Sequence, residues 1–91
     1  MRNNIEIKEL LQKYASGRRN FVSIRCRDRD LSWKDLREID LSHADLSISI
    51  LEGLDLARAN LIETDLSRTD LTAANLYRAN LCCANLFGAD L

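Results

Sequence analysis

The sequence has no proline and only three glycines in 91 residues, Gly17, Gly53 and Gly88. Without proline, no backbone donor is lost from a hydrogen-bonded ladder. Three scattered glycines make no phosphate-cradling loop. Histidine occurs once, as His43, which rules out a polyhistidine metal set. The three cysteines are Cys26 and the adjacent pair Cys82 and Cys83. That odd count at no framework spacing argues against a disulfide scaffold and fits a reducing, cytoplasmic compartment. No apolar run approaches the ~20 residues of a membrane-spanning helix. The opening MRNNIEIKELLQ lacks the continuous apolar core of a secretory signal.

Charge is plentiful but nearly balanced, at 30% of residues and a net of −1. It is unevenly spread. Residues 1–30 carry eight Lys/Arg against four Asp/Glu, and residues 31–91 carry five against ten. A basic head precedes an acidic body, which is a dipole and not a polyanion.

What dominates the chain is a five-residue period. Leucine occupies thirteen consecutive positions spaced by five: Leu31, Leu36, Leu41, Leu46, Leu51, Leu56, Leu61, Leu66, Leu71, Leu76, Leu81, Leu86 and Leu91. The register extends back to Cys26 and Phe21. The residue before each leucine is Asp or Asn in twelve of the thirteen, Ile50 being the exception. Two before the leucine, small residues prevail in the second half, and the remaining two positions vary. On an α-helix five residues advance about 500°, which scatters the leucines around the circumference. On a flat strand alternate leucines fall on opposite faces. The period works if every unit turns a corner, so that each makes one side of a polygon with its leucine pointing inward. Stacked coils then bury leucine columns and pair their backbones.

The stretches HADLS, ARANL and TDLSRTDLTAANLYRANLCCANLFGADL resemble the pentapeptide repeat proteins, whose unit reads A(D/N)LXX. The resemblance covers residues 19–91, and the entry YASGRRNF looks like that of short cyanobacterial members. It implies an all-β solenoid: a right-handed quadrilateral β-helix with four units per coil, here about three and a half coils. The division expected is a capping α-helix over residues 1–18 and the β-helix over 19–91. Core positions are Phe21, Cys26 and the thirteen leucines. Arg19, Arg29 and Lys34 stand where small inward residues belong, so the first coil is expected to be irregular, with these side chains escaping to solvent. Regular coils are then expected from about Ile39.

The head NNIEIKELLQKYASG predicts a short helix. Asn3 and Glu6 form a candidate capping box, Ile7, Leu10, Leu11 and Tyr14 an apolar face, and Gly17 the stop. A solenoid end exposes leucines and unpaired backbone, and the helix is expected to cover the N-terminal one. The arginines of GRRN and RCRDR are interleaved with Asp28 and Asp30, which argues against a nucleic-acid patch.

No constellation here supports catalysis, a metal or a cofactor. His43 is expected on the surface near Glu63, and a leucine-packed square rod offers no cleft. The breaks in the pattern are more telling. Ile48 and Ile50 take outward positions, and Trp33 lies one coil from Gly53. Trp33, Ile48 and Ile50 form a candidate partner patch, unless Trp33 packs beneath the N-terminal helix. Tyr77, Cys82, Phe87 and Leu91 are candidate contacts at the C-terminal end. There two chains are expected to meet end to end, or a longer natural chain to continue. The expected function is a non-enzymatic structural or protein–protein interaction module. The alternative, from the resemblance, is a DNA-mimicking inhibitor of a type II topoisomerase. Arg58, Arg68 and Arg78, and the absence of a helix joining two rods, weigh against it.

Overall fold

The structure is a computed structural model that describes residues 4–91. From Asn20 onward the chain winds in coils of twenty residues. Parallel backbone bridges join each residue before a leucine to its counterpart one coil later, from Asn20 with Asp40 through to Asp70 with Asp90. With a unit of five residues, each coil has four sides. Leu31 N donates to Ile50 O at 2.9 Å and Ile50 N to Arg29 O at 2.9 Å, and this exchange recurs around the coil. The bridges are isolated residue pairs and not strands. Two residues of every five are spent on a corner, which leaves too few extended residues for a longer ladder.

Each corner follows its leucine. At eleven corners the leucine-position carbonyl accepts from the amide three residues on, as in Ala44 N to Leu41 O at 3.0 Å. The second corner residue has positive φ at every corner from Ser23 (64°) to Gly88 (71°), while the first does not. This sign pattern and bond are those of a type II turn.

The Asp and Asn column closes these turns. Twelve of these residues, from Asn20 to Asn85, accept a bond at 2.9–3.2 Å from the amide two residues ahead. A short side-chain acceptor mimics one more backbone turn, which is why this position excludes longer residues. The following corner position was expected to vary freely, but it does not. Ser32, Ser42, Ser47 and Ser67 each donate a hydroxyl to the same carboxylate at 2.6–2.8 Å, and Thr72 does so to Asp70. After the neutral Asn residues 20, 60, 75, 80 and 85 the same position holds Val22, Ile62, Tyr77, Cys82 and Phe87. An ionised corner carboxylate gains from a second donor, whereas an amide does not need one.

Inside the coils, Phe21, Cys26 and every repeat leucine from Leu31 to Leu66 are fully buried, and Leu71 nearly so. At about 1.5–3 kcal/mol for each buried side chain, these columns are the main source of stability. Ile24, Ile39 and Leu54 add bulk from the position two before the leucine. The core assignment fails at one end. Leu76, Leu81 and Leu86 are only partly buried and Leu91 is 72% exposed. A side chain in this fold is covered by residues twenty before and twenty after it, and these four have only the former.

The expectation that regular coils begin near Ile39 is also corrected. Bridges and positive-φ corners are in place from Asn20 and Ser23, because the ladder uses backbone alone. Arg19 and Lys34 turn out to solvent. Arg29 stays partly buried, with Nη1 donating to the carbonyls of Arg27 at 3.1 Å and Asp28 at 3.4 Å and its Nε without a partner.

The helix α1, Ile7–Ala15, precedes the coils. Asn3 lies outside the described residues. Glu6 itself stands at the N-cap, in extended conformation and with no side-chain capping bond. The C-terminus closes as a Schellman motif: Arg18 N donates to Lys13 O at 3.0 Å and Gly17 N to Tyr14 O at 2.9 Å. Gly17 takes the required positive φ, 105°. Leu10 is fully buried in the common core, and Ile7, Leu11 and Tyr14 pack against it. Before α1, Ile5 N donates to Arg25 O at 3.1 Å, adding a bridge to the first coil.

Candidate interaction surfaces

The outward positions are where this scaffold can differ from one chain to another. Trp33 stands at a corner with φ 63° and is 68% exposed. Its ring lies directly over Gly53: a Cβ added there would overlap Trp33 Cε3, Cδ2 and Cζ3. Gly53 therefore serves twice, as a left-handed corner and as the floor under an indole. Trp33 does not pack beneath α1.

Ile48 and Ile50 are 44% and 48% exposed, two residues apart across one corner. Ile48 holds φ 62°, a conformation in which a β-branched residue is a steric outlier. Ile50 keeps its backbone bridge to Asp30 but has no side-chain oxygen with which to close its turn. Between them Ser49 is buried, its Oγ accepting from Arg29 N at 3.0 Å and lying 3.4 Å from Cys26 O. This buried hydroxyl, like that of Thr69 on Leu66 O at 2.8 Å, was not anticipated. Its signal was a hydroxyl residue at an inward position, as at Thr64 and Thr69.

Among the C-terminal candidates, Tyr77 is 56% exposed, with the guanidinium carbons of Arg58 and Arg78 5.4 and 5.6 Å from its ring centre. Phe87 is 68% exposed beneath Arg68 at 5.3 Å. Cys82 and Cys83 are exposed side by side, their sulfurs 3.7 Å apart. His43 Nδ1 lies 2.9 Å from Glu63 Oε1, with both side chains about half exposed. Among the described residues, no group of three or more His, Cys, Asp or Glu is placed to hold a metal ion.

The surface is less smooth than a leucine-packed rod implied, because α1 meets the coils imperfectly. A groove of about 260 Å³ runs between Tyr14, Arg19, Arg37, Glu38, Ala57 and Arg58. Arg19 stacks 3.7 Å above the Tyr14 ring, and Tyr14 Oη donates to Arg37 O at 2.7 Å. Burial holds the Tyr14 hydroxyl above its ordinary range, against the pull of Arg19. Arg37 is engaged by Asp35, with Nε and Nη2 at 2.9 and 2.8 Å from the two carboxylate oxygens. A second basic groove is lined by Asn4, Arg25, Arg27, Asp28 and Arg29.

A family model for pentapeptide repeats matches residues 24–61 and 55–91. The chain belongs to the pentapeptide repeat family. Members fold as right-handed quadrilateral β-helices, in agreement with the four-sided coils described above. A pentapeptide repeat protein from the Arabidopsis thaliana thylakoid lumen aligns with TM-score 0.57 at 25% identity. It covers 82% of this chain, and the chain spans only 52% of that protein. A pentapeptide repeat protein of Nostoc PCC 7120 is 33% identical over 94% of this chain and 79% of its own, with TM-score 0.44. Rfr23, a pentapeptide repeat protein of the cyanobacterium Cyanothece 51142, shares the fold at TM-score 0.54 and 20% identity, covering 78% of this chain and 82% of its own. No curated protein matches this pentapeptide repeat chain.

Proposed function

We propose that this chain is a non-enzymatic structural or protein–protein interaction module whose partner docks on the side carrying Ile48 and Ile50. The observation that carries the proposal is what these residues cost. Asn or Gly at position 48 would relieve a left-handed β-branched residue, and Asp at position 50 would supply a turn bond that every other corner Asp from Asp30 to Asp70 makes. Both isoleucines instead expose apolar surface. Local rules broken without structural return point to selection for contact. The test is capture of partners from a cell extract by the wild-type chain and by Ile48→Asn and Ile50→Asp variants. Variants that are as well folded and capture the same set equally well would reject the docking side.

The same reading includes α1 as the cover of the N-terminal coil, an end-to-end pairing of two chains through the coil that ends at Leu91, and a cytoplasmic location. Leu76, Leu81, Leu86 and Leu91 supply the apolar end surface for pairing. Light scattering across a concentration series tests it, and a monomer throughout would remove it. Arg58, Arg68 and Arg78 are all exposed at corners, which weakens the topoisomerase-inhibitor alternative. A supercoiling assay with this chain is expected to show no inhibition.

A further inference from the structure

One pair of side chains lies outside both the core and the side carrying Ile48 and Ile50. Cys82 and Cys83 are the two corner residues of one turn, closed by Ala84 N to Leu81 O at 3.0 Å. Cys82 N is held by Asn80 Oδ1 at 3.0 Å, and Cys83 takes φ 61°. The turn thus fixes the backbone of both residues, and both thiols are exposed. Their sulfurs are 3.7 Å apart. Cys26, by contrast, is buried within the coils.

That separation discriminates between chemistries. A disulfide needs about 2.05 Å, so the sulfurs would have to close by about 1.7 Å within a ring that spans one peptide bond of a fixed turn. Two thiolates bound at ~2.3 Å to a common soft centre, with ligand angles between 90° and tetrahedral, stand about 3.3–3.8 Å apart. The observed distance falls in the second range. A structural zinc requires four protein ligands, and no third candidate is in place among the described residues. The centre must therefore be satisfied by two sulfurs and bring its remaining substituent with it.

We propose that Cys82 and Cys83 form a bidentate site for a trivalent thiophilic centre of the organoarsenical type. Binding is a condensation without redox change. The two S–H bonds and the arsenic–oxygen double bond break, two As–S bonds form, and the two thiol protons leave with the oxide oxygen as water. The aryl substituent stays on arsenic and points to solvent, where the exposed corner leaves room for it.

The test uses phenylarsine oxide with the full chain, read by intact mass under native conditions after challenge with excess glutathione. The wild type is expected to retain one adduct against the monothiol and to release it to a dithiol such as 2,3-dimercaptopropanol. Cys82→Ser and Cys83→Ser are each expected to weaken binding by about 10²-fold or more, the gain that two tethered contacts have over one. Cys26→Ser is expected to leave retention unchanged. Circular dichroism checks that the two exposed-site variants stay folded. An adduct lost from the wild type under glutathione, or retained equally by either single variant, overturns the site.

Discussion

Replacing Gly53 with alanine tests the geometry of the coil and of its surface together. Two penalties arise at once. The corner needs φ near +67°, and a left-handed conformation costs an L-residue about 1–2 kcal/mol. The new methyl also enters the space of the Trp33 ring. Trp33 is 68% exposed, so about a third of its surface is buried. Taking about 250 Å² for the side chain, near 80 Å² is at stake, or about 2 kcal/mol at 25 cal/mol per Å². If the ring is pushed off altogether, Gly53→Ala costs about 3–4 kcal/mol. In a Trp33→Ala background only the backbone penalty remains, about 1–2 kcal/mol. The expected coupling between the two positions is therefore about 2 kcal/mol. Urea unfolding followed by far-ultraviolet circular dichroism measures all four corners of this cycle. In the Gly53→Ala single variant, fluorescence of Trp33, the chain's one tryptophan, reports whether the ring has moved. Additivity within about 0.5 kcal/mol would refute the claim that the indole rests on Gly53.

Other outcomes follow from the same geometry. Leu51→Ala, in a fully buried position, is expected to cost about 2–5 kcal/mol. Leu86→Ala, in the partly covered coil, should cost markedly less in the same unfolding assay. Ile48→Gly relieves a left-handed β-branched corner at φ 62° and is expected to stabilise by about 1 kcal/mol, read as a rise in Tm. For Asp45, burial raises the carboxyl pKa, but the Ser47 hydroxyl and amide, with Arg27 and Arg25, outweigh it and hold the group below its ordinary value. A lowered folded-state value means a stability contribution that is full above the ordinary carboxyl range and is lost as pH falls through the folded value. Ser47→Ala should therefore raise the Asp45 titration midpoint, followed by NMR, and bring acid unfolding to a higher pH. Burial pushes the Cys26 thiol up to about 11, so in the native protein at pH 8 a thiol reagent is expected to modify Cys82 and Cys83 but spare Cys26 until denaturant is added.

The periodic part of this molecule was legible because a single rule repeats. Thirteen leucines in register fix the side length, and only a corner in each unit lets all of them face inward. The irregularities were harder to read, for identifiable reasons. Arg19 and Lys34 were expected to spoil the first coil, yet the ladder there is intact from Asn20. Inter-coil pairing uses main-chain groups, and a long side chain at a nominally inward position can swing outward without disturbing them. Leu91 carries the same pattern as Leu51 but is 72% exposed where Leu51 is fully buried. That difference, unlike the others, was legible from the repeat itself, because burial here depends on what lies one coil away and a solenoid end leaves its last leucines poorly covered. The capping-box reading went astray at Glu6, which occupies the N-cap and lies 3.8 Å from Arg29 through its side chain.

The candidate surfaces show where a repeat scaffold stores its individuality. The inward positions and the Asp/Asn column answer to the coil, and their chemistry is shared by any chain that folds this way. Even the serines after Asp40, Asp45 and Asp65 answer to it, because each supplies a hydroxyl to a corner carboxylate. That link was present in the sequence as a coupling between charge and its second neighbour: Ser or Thr follows five of the corner Asp residues, Arg37 and Ala57 following Asp35 and Asp55, and an apolar residue follows each corner Asn. Once this coupling is taken into account, the outward residues it leaves unexplained are few. Ile48, Ile50, Cys82 and Cys83 do nothing that alanine or serine would not do as well for the fold, and Trp33, Tyr77 and Phe87 rest on Gly53 or beside arginines while leaving most of their surface to solvent. Substitutions that remove these side chains while keeping the corner geometry should therefore separate function from folding. Ile50→Asp is the sharpest case, since it restores a turn bond while removing apolar surface. It is expected to raise stability by about 0.5–1.5 kcal/mol and to lower partner capture in the same protein. A variant that gains stability and keeps its partners would show that Ile50 is a tolerated flaw in the coil and not a contact.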